Sequence, residues 1–415
     1  LGRKSTPKFA WRPILNGSLR EQAVAAVESI AADLRRFSVR DFSLAGGAAG
    51  ISLMFDYFAR YRSVPGDQNI SQRFLDQAIE SVSDEPSLPS LYSGFTGVAW
   101  VCEHLHSGVS NTVVDRVLLR YLKATPWKDD YDLVSGLVGI GIYALERLPG
   151  KSAVESLNLV LRRLEELAEV TPNGITWHTD PRLLPGWQRE RCPNGYYNLG
   201  LAHGIPGVIG ILALIYAAGI QRKTARKLLA GAIQWLLGHQ LPSSFHSRFS
   251  SWLGPGLPHD PTRLAWCYGD LGIASSLLIA SLCLRNKSWK RSAMRIACHA
   301  ARRSQKNSGV KDAGLCHGAA GVGHIFNRMF QVTGNSTLRK SARFWFQQTL
   351  EMRQPGKGVG GFCAFSPGGA RGKSWVKDPD LLTGSAGIAL ALIAAVSSMP
   401  PDWDRCLLLS AKKSW

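Results

Sequence analysis

The sequence predicts an all-α protein built as a ring of helical hairpins, and three observations carry that prediction. First, an apolar-x-x-Gly-x-x-Gly-apolar phrase occurs seven times: Leu44–Ile51, Leu91–Val98, Leu133–Ile140, Leu201–Val208, Trp266–Ile273, Leu315–Val322 and Leu381–Ile388. Second, each copy leads into an apolar run, such as Ile209–Ile220, Ile273–Leu284 or Ile388–Val396, that reads as a buried helix. Third, amphipathic, Arg-rich segments such as Lys223–Leu237 and Trp289–Ser304 lie between these runs and read as outer helices. The second glycines, Gly50, Gly97, Gly139, Gly207, Gly272, Gly321 and Gly387, are 42 to 68 residues apart, room for two ordinary helices with loops. An open solenoid is the alternative. Unequal intervals with inserted loops suit a closed ring better than a regular stack.

The paired glycines fit this geometry. Seven helix starts converging on one end of a ring crowd one another, and glycine lets a neighbouring backbone approach closely. The helix N-termini then face a shared rim with free N–H groups and partial positive charge. Before the first copy, Ser18-x-x-Glu21 has the form of a capping box. It opens an outer helix over about 18–37, with Val24, Val27, Ile30 and Leu34 on its buried face, read as the partner of the first inner helix. Repeats spanning 44–390 leave little room for a second domain, so residues 1–415 read as one. The Pro/Gly-rich stretches 171–198, 241–265 and 354–379 read as rim loops or small hairpins with a binding role.

Composition narrows the class. No apolar run has the length of a membrane span, and no signal-peptide pattern opens the sequence. Eight cysteines are too sparse for a disulfide scaffold and read as free thiols in a reducing cytoplasm. The net charge of +19 is scattered over the outer helices without a nucleic-acid motif, which favours a basic solvated surface, or one facing an acidic peptide, over nucleic-acid binding.

The chemistry sits in the phrases themselves. Cys267 lies in the fifth copy and Cys316 with His317 in the sixth, and consecutive repeats of a ring are neighbours. Two thiolates and one imidazole suit zinc and leave a fourth position open, as catalytic zinc requires. Isolated buried thiols are the plain alternative, but equivalent positions in adjacent repeats favour a metal. A thiolate-rich zinc is a modest activator of water and is suited to holding a substrate sulfur, which points to thiol addition or alkylation. His203 occupies the place in the fourth copy that His317 has in the sixth, and reads as a general acid or base or as a core histidine. Asp132 reads as its partner or as a helix cap. Arg263 and Tyr268 read as oxyanion stabilisers, or as a surface charge and a packed ring.

The segments NGYYNLGLAHGIPG (194–207), AWCYGDLG (265–272) and GLCHGAAG (314–321) resemble the signatures of the lanthionine synthetase C-like family, and most closely the stand-alone class I lanthipeptide cyclases. The resemblance spans nearly the whole chain. It implies an α/α toroid of two concentric seven-helix layers that adds cysteine thiols to dehydroalanine or dehydrobutyrine in a dehydrated precursor peptide. It implies Zn2+ on Cys267, Cys316 and His317, His203 as acid/base residue with Asp132 as its carboxylate, and Arg263 and Tyr268 as supporting residues. The implied partners are the precursor peptide and the dehydratase and transporter of the same pathway, in a cytoplasmic complex peripheral to the membrane. Because the chain opens with Leu1, the cyclase portion of a bifunctional enzyme is the alternative to a stand-alone cyclase. Addition of glutathione or another free thiol to dehydrated residues, and a zinc-containing scaffold without turnover, are the alternative activities. A helical-ring prenyltransferase shares the chemistry but not the signatures.

Overall fold

The computed structural model describes residues 10–63, 65–84, 87–108, 111–369 and 372–412. Helix α1 (Gly17–Leu34) is followed by inner–outer pairs: α2 (Ala48–Arg62) and α3 (Pro65–Asp84), α4 (Phe95–Leu105) and α5 (Thr112–Leu122), α6 (Leu137–Glu146) and α7 (Lys151–Glu166). The short α8 (Gly186–Arg191) precedes α9 (Ile205–Ala217) and α10 (Arg222–Gly238), then α11 (Asp270–Cys283) and α12 (Lys287–Ala300). A turn of helix, α13 (Gln305–Ser308), precedes α14 (Ala319–Thr333) and α15 (Ser336–Glu351), and α16 (Ser385–Val396) is the last inner helix. Each inner helix packs on the next, α2 on α4, α4 on α6, α6 on α9, α9 on α11, α11 on α14 and α14 on α16, and α16 packs back on α2. The ring is therefore closed. It is an α/α toroid and not an open solenoid.

Two local expectations are corrected. Helix α1 packs mainly on α16 rather than on α2. The preceding segment fixes this placement: the Trp11 indole donates to the Ala394 carbonyl at 2.7 Å, and the N–H groups of Ile14 and Leu15 both donate to Ala395 at 2.8 and 3.1 Å. The start of the chain thus supplies the outer helix that its last inner helix lacks. The expected capping box is absent, because the helix begins at Gly17 with Asn16 as its cap residue. Ser18 then falls inside the first turn and accepts from Gln22 instead.

The first glycine of every phrase is the N-cap of an inner helix: Gly47, Gly94, Gly136, Gly204, Gly269, Gly318 and Gly384. The inner helices accordingly start inside the phrases, earlier than the apolar runs indicate. Close approach, not backbone freedom, explains most of these glycines, since only Gly269 among the caps has a positive φ, 93°. At every second glycine a Cβ would collide with the carbonyl of the first phrase residue, and at Gly50, Gly97, Gly139, Gly272 and Gly387 also with a leucine of an adjacent phrase. At Gly50 it would lie 2.5 Å from the Leu44 carbonyl and 2.9 Å from Leu381 Cβ, and at Gly272 2.5 Å from Trp266 O and 2.8 Å from Leu201 Cβ. The first apolar residue of each phrase, buried in all seven, is what these glycines make room for.

A belt of backbone hydrogen bonds runs round this end of the ring through the second phrase position. Ala45 N–H donates to Tyr92, Tyr92 to Val134, Ala202 to Cys267, Cys267 to Cys316, Cys316 to Leu382 and Leu382 back to Ala45, at 2.7 to 3.4 Å. Between the third and fourth repeats the bond runs from Leu133 N–H to Ala202 O at 3.1 Å.

Inner helices run away from the belt and outer helices return to it, so every connection that precedes a phrase lies at the same end. The three long insertions are all of this kind. The first carries the hairpin β1 (Glu169–Thr171) and β2 (Gly174–Thr176), then β3 (His178–Thr179) and β4 (Tyr196–Asn198). The second supplies β5 (Trp252–Leu253), which joins β3 and β4 in one sheet in the order β3-β4-β5. The third forms the hairpin β6 (Ala364–Gly369) and β7 (Gly372–Val376).

The centre of the ring is filled. The segment after α16 enters it, Tyr92 donating to the Cys406 carbonyl and the Trp266 indole to Leu407, both at 2.8 Å. Buried Asp404 in this segment contacts His324 at 2.9 Å and Arg328 at 2.7 Å, which fixes it against α14. Among the described residues no helix is long and apolar enough to cross a membrane.

Gly50→Ala is expected to lower unfolding stability by about 1–3 kcal/mol, the usual cost of overpacking a tight site. Gly66→Ala, where nothing lies within 4 Å of the new methyl, is expected to be neutral or to gain roughly 0.4–1 kcal/mol. Urea titration of both variants checks the pair, and equal stabilities would remove the close-approach argument.

Candidate metal centre and acid–base pair

The belt brings the second and third positions of adjacent phrases together. Cys267 and Cys316 are both second-position residues, and the N–H groups of Trp266 and Cys267 donate to the Cys316 carbonyl at 2.8 and 3.4 Å. His317 follows at the third position of the sixth copy. The ligand atoms of Cys267, Cys316 and His317 lie within 4.8 Å of one another. The Cys316 S–H donates to Cys267, which holds the Cys267 thiol well below the usual thiol range against the opposing effect of burial, with His317 and the Arg263 charge helping. The same hydrogen bond, with burial, pushes Cys316 well above that range. The buried Nδ1 of His317 has no hydrogen-bond partner among the described residues. Two thiols and an imidazole converging on one point are a donor set for a borderline-soft metal, and they leave a coordination position open.

His203, at the third position of the fourth copy, sits one repeat before Cys267. Its Nδ1–H donates to Asp132 Oδ2 at 2.7 Å. Asp132 Oδ1 accepts the N–H groups of Ser135 at 2.7 Å and Gly136 at 3.1 Å. The two sequence readings of Asp132, as cap and as histidine partner, are thus both realised, one on each oxygen. Burial works to lower the imidazole pKa, but the Asp132 hydrogen bond and charge, with the charges of Cys267 and Asp130, outweigh it and raise it. The His203 side chain remains 41% exposed, so part of the ring is open to solvent.

Tyr268 follows Cys267 and lies over the His203 ring, with centroids 6.0 Å apart and planes 28° from parallel. Its hydroxyl accepts from the Asn198 amide at 3.1 Å and the Trp252 indole at 3.4 Å. Burial pushes its phenol up to about 12, so it keeps its proton. Arg263 is exposed and makes no hydrogen bond or ion pair among the described residues, although its charge lowers both Cys267 and Cys316. The structure therefore gathers Cys267, Cys316 and His317 in one group and His203, Asp132 and Tyr268 in another beside it. Arg263 reaches the thiols only through its field.

Sequence reasoning missed three neighbours. Asn198 and Trp252 belong to separate insertions, and only the β4–β5 pairing brings them to Tyr268. Asp130, two residues before Asp132, is pushed up to about 7 by burial and then by the Asp132 charge. Its doubled-acid spacing was the one signal visible in the chain.

This fold and this donor set define a class: a seven-repeat helical toroid with a thiol-rich Cys/His cluster on its rim that could hold a metal. Residues 38–408 match the family described as lanthionine synthetase C-like protein, and the chain belongs to that family. The nisin biosynthesis protein NisC of Lactococcus lactis subsp. lactis is 26% identical over 367 residues, covering 78% of this chain and 83% of the relative. A solved nisin cyclase superposes with a TM-score of 0.74 at 22% identity, covering 92% of this chain and 96% of that one, and supports the toroid fold.

Asp132→Asn keeps an oxygen for the Ser135 and Gly136 N–H groups but removes the charge facing His203. The His203 pKa is expected to fall by about a unit or more, so that the ring loses its proton at lower pH than in the parent protein. Proton NMR titration of the imidazole reads this directly, and an unmoved titration would overturn Asp132 as the source of the raised value.

Proposed function

We propose that the chain is a zinc-dependent lanthipeptide cyclase. It closes lanthionine and methyllanthionine rings by adding cysteine thiols to dehydroalanine or dehydrobutyrine in a dehydrated precursor peptide. The observation that carries this reading is the convergence of Cys267, Cys316 and His317 within 4.8 Å, beside an imidazole already fixed by a carboxylate. Cys267, Cys316 and His317 would hold the zinc. Bound zinc supplies a site where a substrate thiol is a thiolate near neutral pH.

The chain's own residues do the rest. As sulfur bonds to the β-carbon of the dehydro residue, the π pair moves toward the adjacent carbonyl and an enolate forms. His203 gives a proton from Nε2 to the α-carbon, and its raised pKa favours the protonated ring for that task. Asp132 holds the ring in the tautomer that presents Nε2–H and stabilises its charged form. The proton given up by the incoming thiol balances the one delivered to carbon, so the reaction is an isomerisation overall. Tyr268, whose oxygen is occupied by Asn198 and Trp252, donates its own proton toward the enolate oxygen. Arg263 adds positive charge on the thiol side. The three insertions around this rim form the surface over which a flexible peptide presents successive cysteines. Such chemistry needs reduced thiols, which suits a cytoplasmic setting.

The purified protein is expected to carry one zinc per chain, and the Cys316→Ala/His317→Ala double variant to carry almost none. Elemental analysis decides, and zinc retained at full stoichiometry in the double variant would sink the assignment. His203→Ala is expected to keep its zinc while ring closure slows by about 10²–10⁴-fold. Alkylation of unreacted thiols followed by mass spectrometry measures the rate, and undiminished closure would take His203 out of the mechanism.

A further inference from the structure

Outside the rim, between the ends of α10 and α12, lies a depression of about 320 Å³ lined by Arg248, Arg295, Arg302, His299 and Gln240. No carboxylate lines it. It opens along α12 into a shallower surface bordered by Lys290 and Arg291, again without an acidic residue. Arg248, Arg295 and Arg302 form no ion pair among the described residues. Their side-chain hydrogen bonds are weak: Arg248 to Gln240 at 3.3 Å and Arg295 to Ser292 at 3.4 Å. One acid, Asp270, is wholly buried behind the wall. It accepts the Arg248 backbone N–H at 2.9 and 3.0 Å and lies 3.8 Å from His299 Nδ1. Three guanidinium groups that share one hollow without a counter-ion repel each other, and planar carboxylates match their fork of donors.

We propose that this hollow binds carboxylate side chains of an acidic segment of the precursor peptide. The proposal rests on the cyclase reading for the identity of the peptide. The connection to the metal centre is short: Asp270, which backs the hollow, is the first residue of α11, three positions after Cys267. A peptide anchored here by its acidic part lies outside the rim, and its remaining length crosses to the thiol site on the inside. An anchor separate from the reacting groups lets several cysteines of one peptide reach the same centre in turn. A chain of net charge +19 that concentrates unpaired arginines beside its metal site is complementary to such a segment.

The test uses the zinc-loaded protein and a short fluorescein-labelled peptide rich in glutamate, with its glutamine counterpart as control. Anisotropy should show binding of the glutamate peptide alone. Arg295→Glu/Arg302→Glu should weaken it about tenfold or more, the effect of losing one charge-assisted hydrogen bond or more. Arg116→Glu/Arg120→Glu on exposed positions of α5 makes the same change in net charge and should leave binding within about twofold. Equal losses in the two variants, or none in the first, would overturn the hollow as the site. Arg295→Gln/Arg302→Gln, milder for folding, should weaken binding in the same direction. With precursor peptide, Arg295→Glu/Arg302→Glu should raise KM about tenfold at unchanged kcat and zinc content. Ring closure with unchanged KM would sink the anchor alone. Peptide binding without any ring closure by the parent protein would sink the cyclase reading and leave the anchor standing.

Discussion

Closing seven hairpins into a ring leaves the second position of every phrase with a backbone N–H and C=O at the crowded inner rim. The belt of hydrogen bonds from Ala45 round to Leu382 and back satisfies these groups, with Leu133 N–H standing in for that of Val134 at the third repeat. A buried amide left without a partner costs about 1–3 kcal/mol, while each bond made gains only about 0.5–1.5 kcal/mol. The belt therefore acts chiefly as a constraint: any repeat out of register strands its own groups and those of its neighbours. The second glycines are the steric half of the same condition. A methyl at Gly50 or Gly272 would push the facing leucine, Leu381 or Leu201, away and open the belt at that point.

The chemistry is a consequence of this register. Because Cys267 N–H donates to Cys316 O, the two thiols are neighbours before any metal is considered, and His317 and Tyr268 take the next position in each phrase. His203 holds the same position in the repeat before. Three consecutive phrases thus deliver His203, then Cys267 and Tyr268, then Cys316 and His317 to a common arc of the rim, on helix starts whose backbone is pinned on both sides. Asp132 extends the logic by one more repeat, since the oxygen that caps its own turn leaves the other to orient His203. Precise side-chain placement is obtained from backbone regularity, with few long side chains to immobilise.

The two ends of the toroid are used differently. The far end has short connections, and its interior is taken up by the segment after α16, whose Asp404 is held by His324 and Arg328. The near end carries all three insertions, of which the first two meet through the β3-β4-β5 sheet and deliver Asn198 and Trp252 to Tyr268. On the proposed function, catalytic groups on the rigid ring and recognition groups on the insertions would suit a protein that treats different segments of one flexible peptide alike. Arg248, in the second insertion, Arg295, within α12, and Arg302, just after it, belong to that outer zone.

The phrases by themselves determined the helical class, the number of repeats and the identity of Cys267, Cys316 and His317, because glycine spacing and ligand type are local properties of a chain. They also placed His203 beside the thiol cluster by position alone. Closure, however, depends on α16 meeting α2, a contact between residues more than three hundred apart, which no local pattern encodes. The same holds for α1, which local order assigned to α2 and packing assigns to α16, where an unpartnered inner helix offered apolar surface. Tertiary structure alone decided that Arg263 stays at the surface, that Asp130 is buried enough to titrate near 7, and that two distant insertions share one tyrosine. Each of these rests on burial or on cross-chain pairing, and both exist only once the ring has closed.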